Sequence, residues 1–181
     1  MQPHPNQDSE VKLSKSSGDR STLRSLVGRL NEKMQRDTLI QKTTDELRDD
    51  LNVDRVVIYY FYRQWEGQVT YESFSDPERS IYGCTGPDEC FNGEYAALYL
   101  GGRVRAIADI EVEPINDCHR DFLRSLGVRA NLAVPILNPA ELWGLLIAHH
   151  CQEVRSWSES DIDMMKKAAA TLANSPTIRD S

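Results

Sequence analysis

The stretch RANLAVPILNPAELWGLLIAHHC, residues 129–151, decides the fold. It holds two apolar runs, 129–137 and 142–151, each of a length that strands in globular proteins commonly have. The four residues between them, Asn-Pro-Ala-Glu, favour a turn because Asn and Pro fit turn backbone conformations. The stretch therefore predicts two antiparallel strands joined by a hairpin.

The flanking sequence supplies the rest of an α+β fold. Apolar residues at three- and four-residue spacing from Leu23 to Leu51 predict one bent helix or two. Further strands are predicted at 53–63, 68–75 and 103–110, and further helices at 94–100, at 118–126 and after Ser158. We therefore expect a central antiparallel β-sheet flanked by N- and C-terminal helices and by helices in the loops.

Four segments follow from this reading. Residues 1–20 are polar and without a regular pattern, so they predict a disordered tail, and residues 174–181 are expected to fray. Residues 21–36 form a linker helix and residues 37–173 the globular domain. The apolar stripe of the linker helix suits packing on its own domain. It equally suits a seam between two copies, in which case a homodimer would form through the N- and C-terminal helices.

Composition excludes several classes of partner. The chain has 181 residues and a net charge of −7, and an acidic surface disfavours nucleic acid, whose phosphates require clustered Lys and Arg. No apolar run approaches the roughly 20 residues of a membrane span, and the N-terminus has no signal-peptide pattern. We expect a cytoplasmic protein that binds neither nucleic acid nor membrane.

Four cysteines, at 84, 90, 118 and 151, match no zinc or redox spacing and are expected to be free thiols in the cytosol. Cys118 lies at the start of the helix 118–126, which Asp117 is predicted to cap and Gly127 to end. The positive end of a helix dipole favours a thiolate, so Cys118 is a candidate nucleophile. The alternative is a small buried core residue.

The neighbours of these thiols suggest a shared cavity. His119 points away from Cys118 around the helix, so it is better placed to line the same cavity than to act as its general base; an exposed helix histidine is the alternative. The loop 76–93 contains Asp88-Glu-Cys90-Phe91, and loops of this length are usually functional. Asp88 is expected to accept hydrogen bonds from ligand N–H groups, or else to be a solvated acidic turn residue. Cys84, in the same loop, is a rival thiol.

Two other clusters carry less specific chemistry. His149, His150 and Cys151 are consecutive at a strand end, but alternate strand residues face opposite ways, so only two converge and a zinc site is not expected. Arg103 and Arg105 share one face of their predicted strand and suit a ligand carboxylate, with a solvated sheet edge as the alternative.

Together these segments resemble a known family. The segments 102–110, 117–119, 133–136 and 142–149, in that order, are similar to the chromophore-binding GAF domain of the cyanobacteriochromes, relatives of the phytochromes. Asp88-Glu-Cys-Phe91 resembles the D-x-C-F motif of one subgroup. The resemblance covers residues 37–173 and implies the GAF fold.

The resemblance implies a linear tetrapyrrole ligand, phycocyanobilin or its isomer phycoviolobilin, or both. Cys118 would form a thioether to ring A, and Cys90 would add reversibly at C10. Further contacts to the pigment are implied for Asp88, Phe91, His119, His149, Arg103 and Arg105.

The implied activity is light sensing. Isomerisation between 15Z and 15E forms would switch the protein between a violet- or blue-absorbing state, with Cys90 attached, and a green- or orange-absorbing state. The protein would not be an enzyme, apart from lyase or isomerase activity on its own pigment, and it would signal to a downstream protein. A cysteine-dependent GAF enzyme that reduces free methionine sulfoxide is one alternative. A GAF module for a cyclic nucleotide, or without a ligand, is the other.

Overall fold

The computed structural model describes residues 14–63, 65–86, 93–139 and 141–181, with side chains from residue 19 onward. Its helices are α1 (Ser14–Arg36), α2 (Thr38–Leu51), α3 (Gly93–Leu100), α4 (Asp117–Ser125), α5 (Glu159–Ala173) and α6 (Pro176–Arg179). Its strands are β1 (Arg55–Arg63), β2 (Glu66–Phe74), β3 (Arg105–Ile107), β4 (Ala130–Asn138) and β5 (Glu141–His150). A 3₁₀ turn, Pro77–Arg79, follows β2.

The strands form one antiparallel sheet in the order β2-β1-β5-β4-β3. The predicted hairpin is confirmed as β4–β5, and β5 is the central strand. Gly144 lets β1 and β5 approach, because a Cβ there would lie 2.3 Å from the carbonyl oxygen of Tyr59. The expected α+β architecture with a central antiparallel sheet and flanking helices is confirmed.

The two faces of the sheet bury different layers. Along β1, Val56 and Ile58 face a core formed with α2 and α5, whereas Val57 and Tyr59 face a second cluster towards α3. This alternation follows from the two-residue period of a strand. The face that packs against α2 and α5 is covered by these helices. The other face carries the cavity described below.

The helix ends differ from the sequence prediction in several places. α1 begins at Ser14, so residues 14–20 are helical rather than disordered; the rest of the predicted tail lies outside the described residues. The predicted fraying of 174–181 is wrong, because Pro176–Arg179 forms α6 and Ile178 is fully buried. The capping box between Ser158 and Asp161 is present at the start of α5. Among the described residues, the helices are all too short or too polar to cross a membrane.

Candidate functional site

A cavity of about 260 Å³ lies between the sheet and the helices α3 and α4. Its volume is close to the lower end of the range for small-molecule sites, about 300 Å³. The face of β1 and β5 that lies away from α2 and α5 forms its floor. Aromatic side chains of β1 and of α3 form its walls. The lining residues include Val57, Tyr59, Phe61, Tyr99, Leu145 and Ile147. An apolar, aromatic lining of this kind suits a flat conjugated ligand.

Four of the predicted site residues line this cavity: His119, His149, Arg103 and Arg105. Cys118 is half-buried and is not itself a lining residue, but its neighbours Asn116 and His119 are. The predicted contacts Asp88, Cys90 and Phe91 lie outside the described residues. The structure therefore gathers the histidines and arginines from separate elements into one site, with Cys118 at its border.

Asn116, rather than Asp117, caps the helix that carries Cys118. The Asn116 side chain accepts a hydrogen bond from the Cys118 backbone N–H at 2.9 Å, whereas Asp117 is the first helical residue and is exposed. The negative charge of Asp117 in the first turn still interacts favourably with the helix dipole, and asparagine is as good a cap as aspartate. Cys118 is thus the second residue of α4.

The four cysteines are not all free thiols. Cys84 and Cys151 are free, but Cys118 is disulfide-bonded in this structure, so the prediction of four free thiols is wrong at Cys118. Cys84 lines the cavity, and the sequence identified it only as a rival thiol. Burial raises the pKa of the Cys151 thiol, which makes it a poor nucleophile.

The two arginines occupy different backbone settings. Arg105 begins β3, whereas Arg103 lies two residues before the strand, so the prediction that they share one strand is wrong. The Arg105 guanidinium is 3.4 Å from the Glu113 carboxylate, and the Arg103 guanidinium lies over the Tyr95 ring. Within the described part of the chain no acidic residue lines the cavity, although the protein as a whole is acidic. The site therefore favours a ligand with negative groups.

His149 is almost fully buried, with 3% of its surface exposed. Burial and the positive charge of Arg55 hold the pKa of His149 well below its usual value. Burial lowers the pKa of His119 too, and Arg105 adds to that effect. Both imidazoles are therefore neutral near pH 7, and each presents one N–H donor and one acceptor nitrogen.

Tyr59 and Asn131 are among the cavity residues that the sequence did not identify. The Tyr59 hydroxyl donates to the Gly67 carbonyl at 2.7 Å and accepts from the Gly86 N–H at 2.9 Å, which ties the loop after β2 to the sheet. Asn131 lies opposite His149 across the β4–β5 pair. The only sequence signal for either was its place in a strand, which does not identify a partner distant in the chain.

We expect the stability of the apoprotein to fall as the pH falls below about 6.5, the ordinary pKa of histidine. Below that pH the unfolded chain takes up protons at His119 and His149, whereas the folded protein, whose pKa values are lowered, does not. Between its unfolded and its folded pKa, each of these histidines should lower the free energy of unfolding by at most about 1.4 kcal/mol per pH unit. Urea denaturation between about pH 5 and pH 7.5 measures it.

The matched control is His119→Gln, which removes one of the two groups and should make the pH dependence shallower. A free energy of unfolding that does not change across this range in the wild-type apoprotein would contradict the expectation.

Comparison with known proteins places the chain in a family. The GAF domain model matches residues 35–175. An uncharacterized protein of Picosynechococcus sp. is 51% identical over 84% of this chain and 93% of that protein. The circadian input-output histidine kinase CikA of Synechocystis sp. is 30% identical over 92% of this chain, which spans 24% of that protein.

Solved structures match over most of the chain. The blue-light absorbing form of the Thermosynechococcus elongatus PixJ GAF domain has a TM-score of 0.72 and 33% identity, covering 82% of this chain and 88% of that one. A phycocyanobilin-bound GAF domain from a cyanobacterial phytochrome has a TM-score of 0.68 and 29% identity over 83% of this chain and 91% of that one. A far-red absorbing dark state with bound biliverdin has a TM-score of 0.70 and 25% identity over 81% and 94%. The chain therefore belongs to the GAF domain family and is similar to its cyanobacteriochrome and phytochrome members.

Proposed function

We propose that this domain is a photoreceptor that binds a linear tetrapyrrole covalently. The observation that carries the proposal is the aromatic cavity, lined by His119, His149, Arg103 and Arg105 and bordered by Cys118. Its donor set fits such a ligand, because bilins carry carboxylates, carbonyls and a conjugated apolar body. Similar GAF structures contain phycocyanobilin or biliverdin, which supports the same ligand class.

Each cavity residue has a role in the proposal. Arg103 and Arg105 bind the ligand propionates, and Arg105 is drawn from Glu113 or shared with it. His119 packs against the pyrrole rings, and His149 lies near ring D. These roles match the polarity that each side chain presents: two cations, and two neutral imidazoles.

The pigment is held and switched by two thiols. Once a thiol reductant has cleaved its disulfide, the Cys118 thiol adds across the double bond of the ring A side chain: sulfur and one carbon form a C–S bond, the thiol proton passes to the other carbon, and no separate enzyme takes part. The D-x-C-F sequence of Asp88 to Phe91 supports membership of the subgroup in which the second thiol, here Cys90, adds reversibly at C10. Asp88 contacts the pyrrole nitrogens. Phe91 completes the motif.

The bound tetrapyrrole supplies the light absorption and the 15,16 double bond that isomerises between 15Z and 15E. While Cys90 holds C10, conjugation is divided and the protein absorbs violet or blue. Once Cys90 leaves, conjugation is restored and absorption moves to green or orange. The pocket must therefore bring the Cys90 sulfur within reach of C10 in one state only, a two-state arrangement that light biases. The pigment is phycocyanobilin, phycoviolobilin or a mixture.

Co-expression with a bilin-synthesis pathway tests the proposal. The purified protein should be coloured, its pigment should survive acid denaturation, and blue light should bleach a short-wavelength band reversibly. The control is the same protein made without the pathway. A colourless protein with intact secondary structure would reject the proposal, and methionine sulfoxide turnover by that apoprotein would favour a thiol enzyme instead.

A further inference from the structure

Arg55 is a fully buried arginine whose hydrogen-bond partners are all neutral. It is 1% exposed, and its guanidinium donates to His149 Nδ1 at 2.9 Å, to the Arg79 carbonyl at 2.6 Å and to the Leu126 carbonyl at 2.7 Å. In the described part of the chain, none of the ion pairs within 4.0 Å involves Arg55. A buried charge is costly unless it is fully hydrogen-bonded, so these three bonds hold the side chain in place.

The bond to His149 decides which nitrogen of that ring carries the hydrogen. Arginine stays protonated in proteins and its Nε always carries a hydrogen, so His149 Nδ1 must accept. A protonated His149 would place a second N–H against the Arg55 N–H at 2.9 Å. The imidazole is therefore neutral, with its hydrogen on Nε2.

The other groups that face His149 do not oppose this state. His119 approaches from α4, Asn131 lies opposite on β4, and Arg55 lies opposite on β1. No carboxylate is among them in the described residues, so nothing there stabilises a positive imidazole. Arg55 carries a positive charge and His119 can acquire one, and both charges disfavour a protonated His149.

The Nε2–H of His149 meets the cavity. Its Nδ1 edge is occupied by Arg55, which is not a lining residue, whereas His149 is. The opposite edge of the ring, which carries Nε2, is therefore the one that faces the ligand. A fixed N–H donor at this position presents one hydrogen of known placement to the cavity.

We propose that Arg55 is a positioning residue that locks His149 as a neutral Nε2–H donor facing the cavity. The lock itself is a property of the apoprotein. Arg55 also holds the carbonyl of Leu126, the C-cap of α4, so it sets the position of His149 relative to the helix that carries Cys118 and His119.

Histidine tautomers can be read directly by NMR of the apoprotein with ¹⁵N-labelled imidazoles. The chain has four histidines, so single Gln variants of His4, His119 and His150 assign the His149 signals by elimination. We expect His149 to show the Nε2–H pattern alone and to keep it from about pH 5.5 to pH 8, across the ordinary histidine pKa. An Nδ1–H tautomer, or a titration with the ordinary pKa, would overturn the proposal.

A matched pair of variants tests the role of Arg55. Arg55→Lys keeps a positive donor and should retain the Nε2–H pattern, whereas Arg55→Met removes it and should yield mixed tautomers and a titrating His149. An unchanged His149 pattern in folded Arg55→Met would also overturn the proposal. If that variant does not fold, the wild-type spectrum decides alone. None of these readouts needs a pigment, so a failure to bind bilin would reject the proposed function and leave this test intact.

Discussion

Replacing Cys118 with alanine is expected to abolish covalent attachment of the pigment. The Cys118 backbone N–H is held by Asn116 in the first turn of α4, where the helix dipole favours the thiolate that adds to a ligand double bond. Alanine keeps the helix and removes the only sulfur on it. Denaturing electrophoresis of the acid-treated protein, read by pigment fluorescence, should show no coloured band.

The matched control is Cys84→Ala, because Cys84 is a free thiol that lines the cavity. That variant should keep its covalent pigment. Pigment that stays attached in Cys118→Ala and is lost only in the double variant would move the anchor to Cys84. Because Cys118 is disulfide-bonded in this structure, assembly in vitro should include a thiol reductant, which frees its sulfur for the addition.

The second large effect is expected from Cys90→Ala, which should keep the pigment and lose the violet- or blue-absorbing state. Without the second sulfur, C10 stays conjugated in both photostates, so neither absorbs at short wavelength. Absorption spectra before and after irradiation measure this, and the 15Z to 15E change should persist as a smaller shift between two long-wavelength bands.

Here too Cys84→Ala serves as the control and should retain the short-wavelength band. A band that persists in Cys90→Ala would contradict the assignment of Cys90. Its loss from a Cys84→Ala protein would identify the cavity-lining thiol as the reversible one.

The sequence predicted most of what local patterns determine. The hairpin β4–β5 follows from two apolar runs around an Asn-Pro turn, and the start of α5 follows from the Ser158–Asp161 capping box. The placement of His119 and His149 in one cavity followed from the family resemblance. It did not follow from their spacing, because they lie on different elements.

The role of Arg55 was not predictable in the same way. It is a charged residue at the start of an apolar strand, which looks like an exposed strand end. Its burial depends on acceptors that are far away in the chain, with His149 94 residues distant.

The burial of the C-terminal helix α6 was not predictable from local sequence either. Residues 174–181 are polar enough to suggest fraying, but Ile178 is buried and the Trp143 indole donates to the Ser181 hydroxyl at 2.8 Å.

The alternation of β1 between two cores has a practical consequence for engineering. Val57 lines the cavity, whereas its neighbour Val56 lies in the core cluster between the sheet and helices α2 and α5. On the proposed function, a substitution at Val57 would change the surroundings of the pigment, whereas the same substitution at Val56 would change how the helices pack on the sheet. Libraries built on odd and even positions of this strand would therefore separate changes to the cavity from changes to the helical layer.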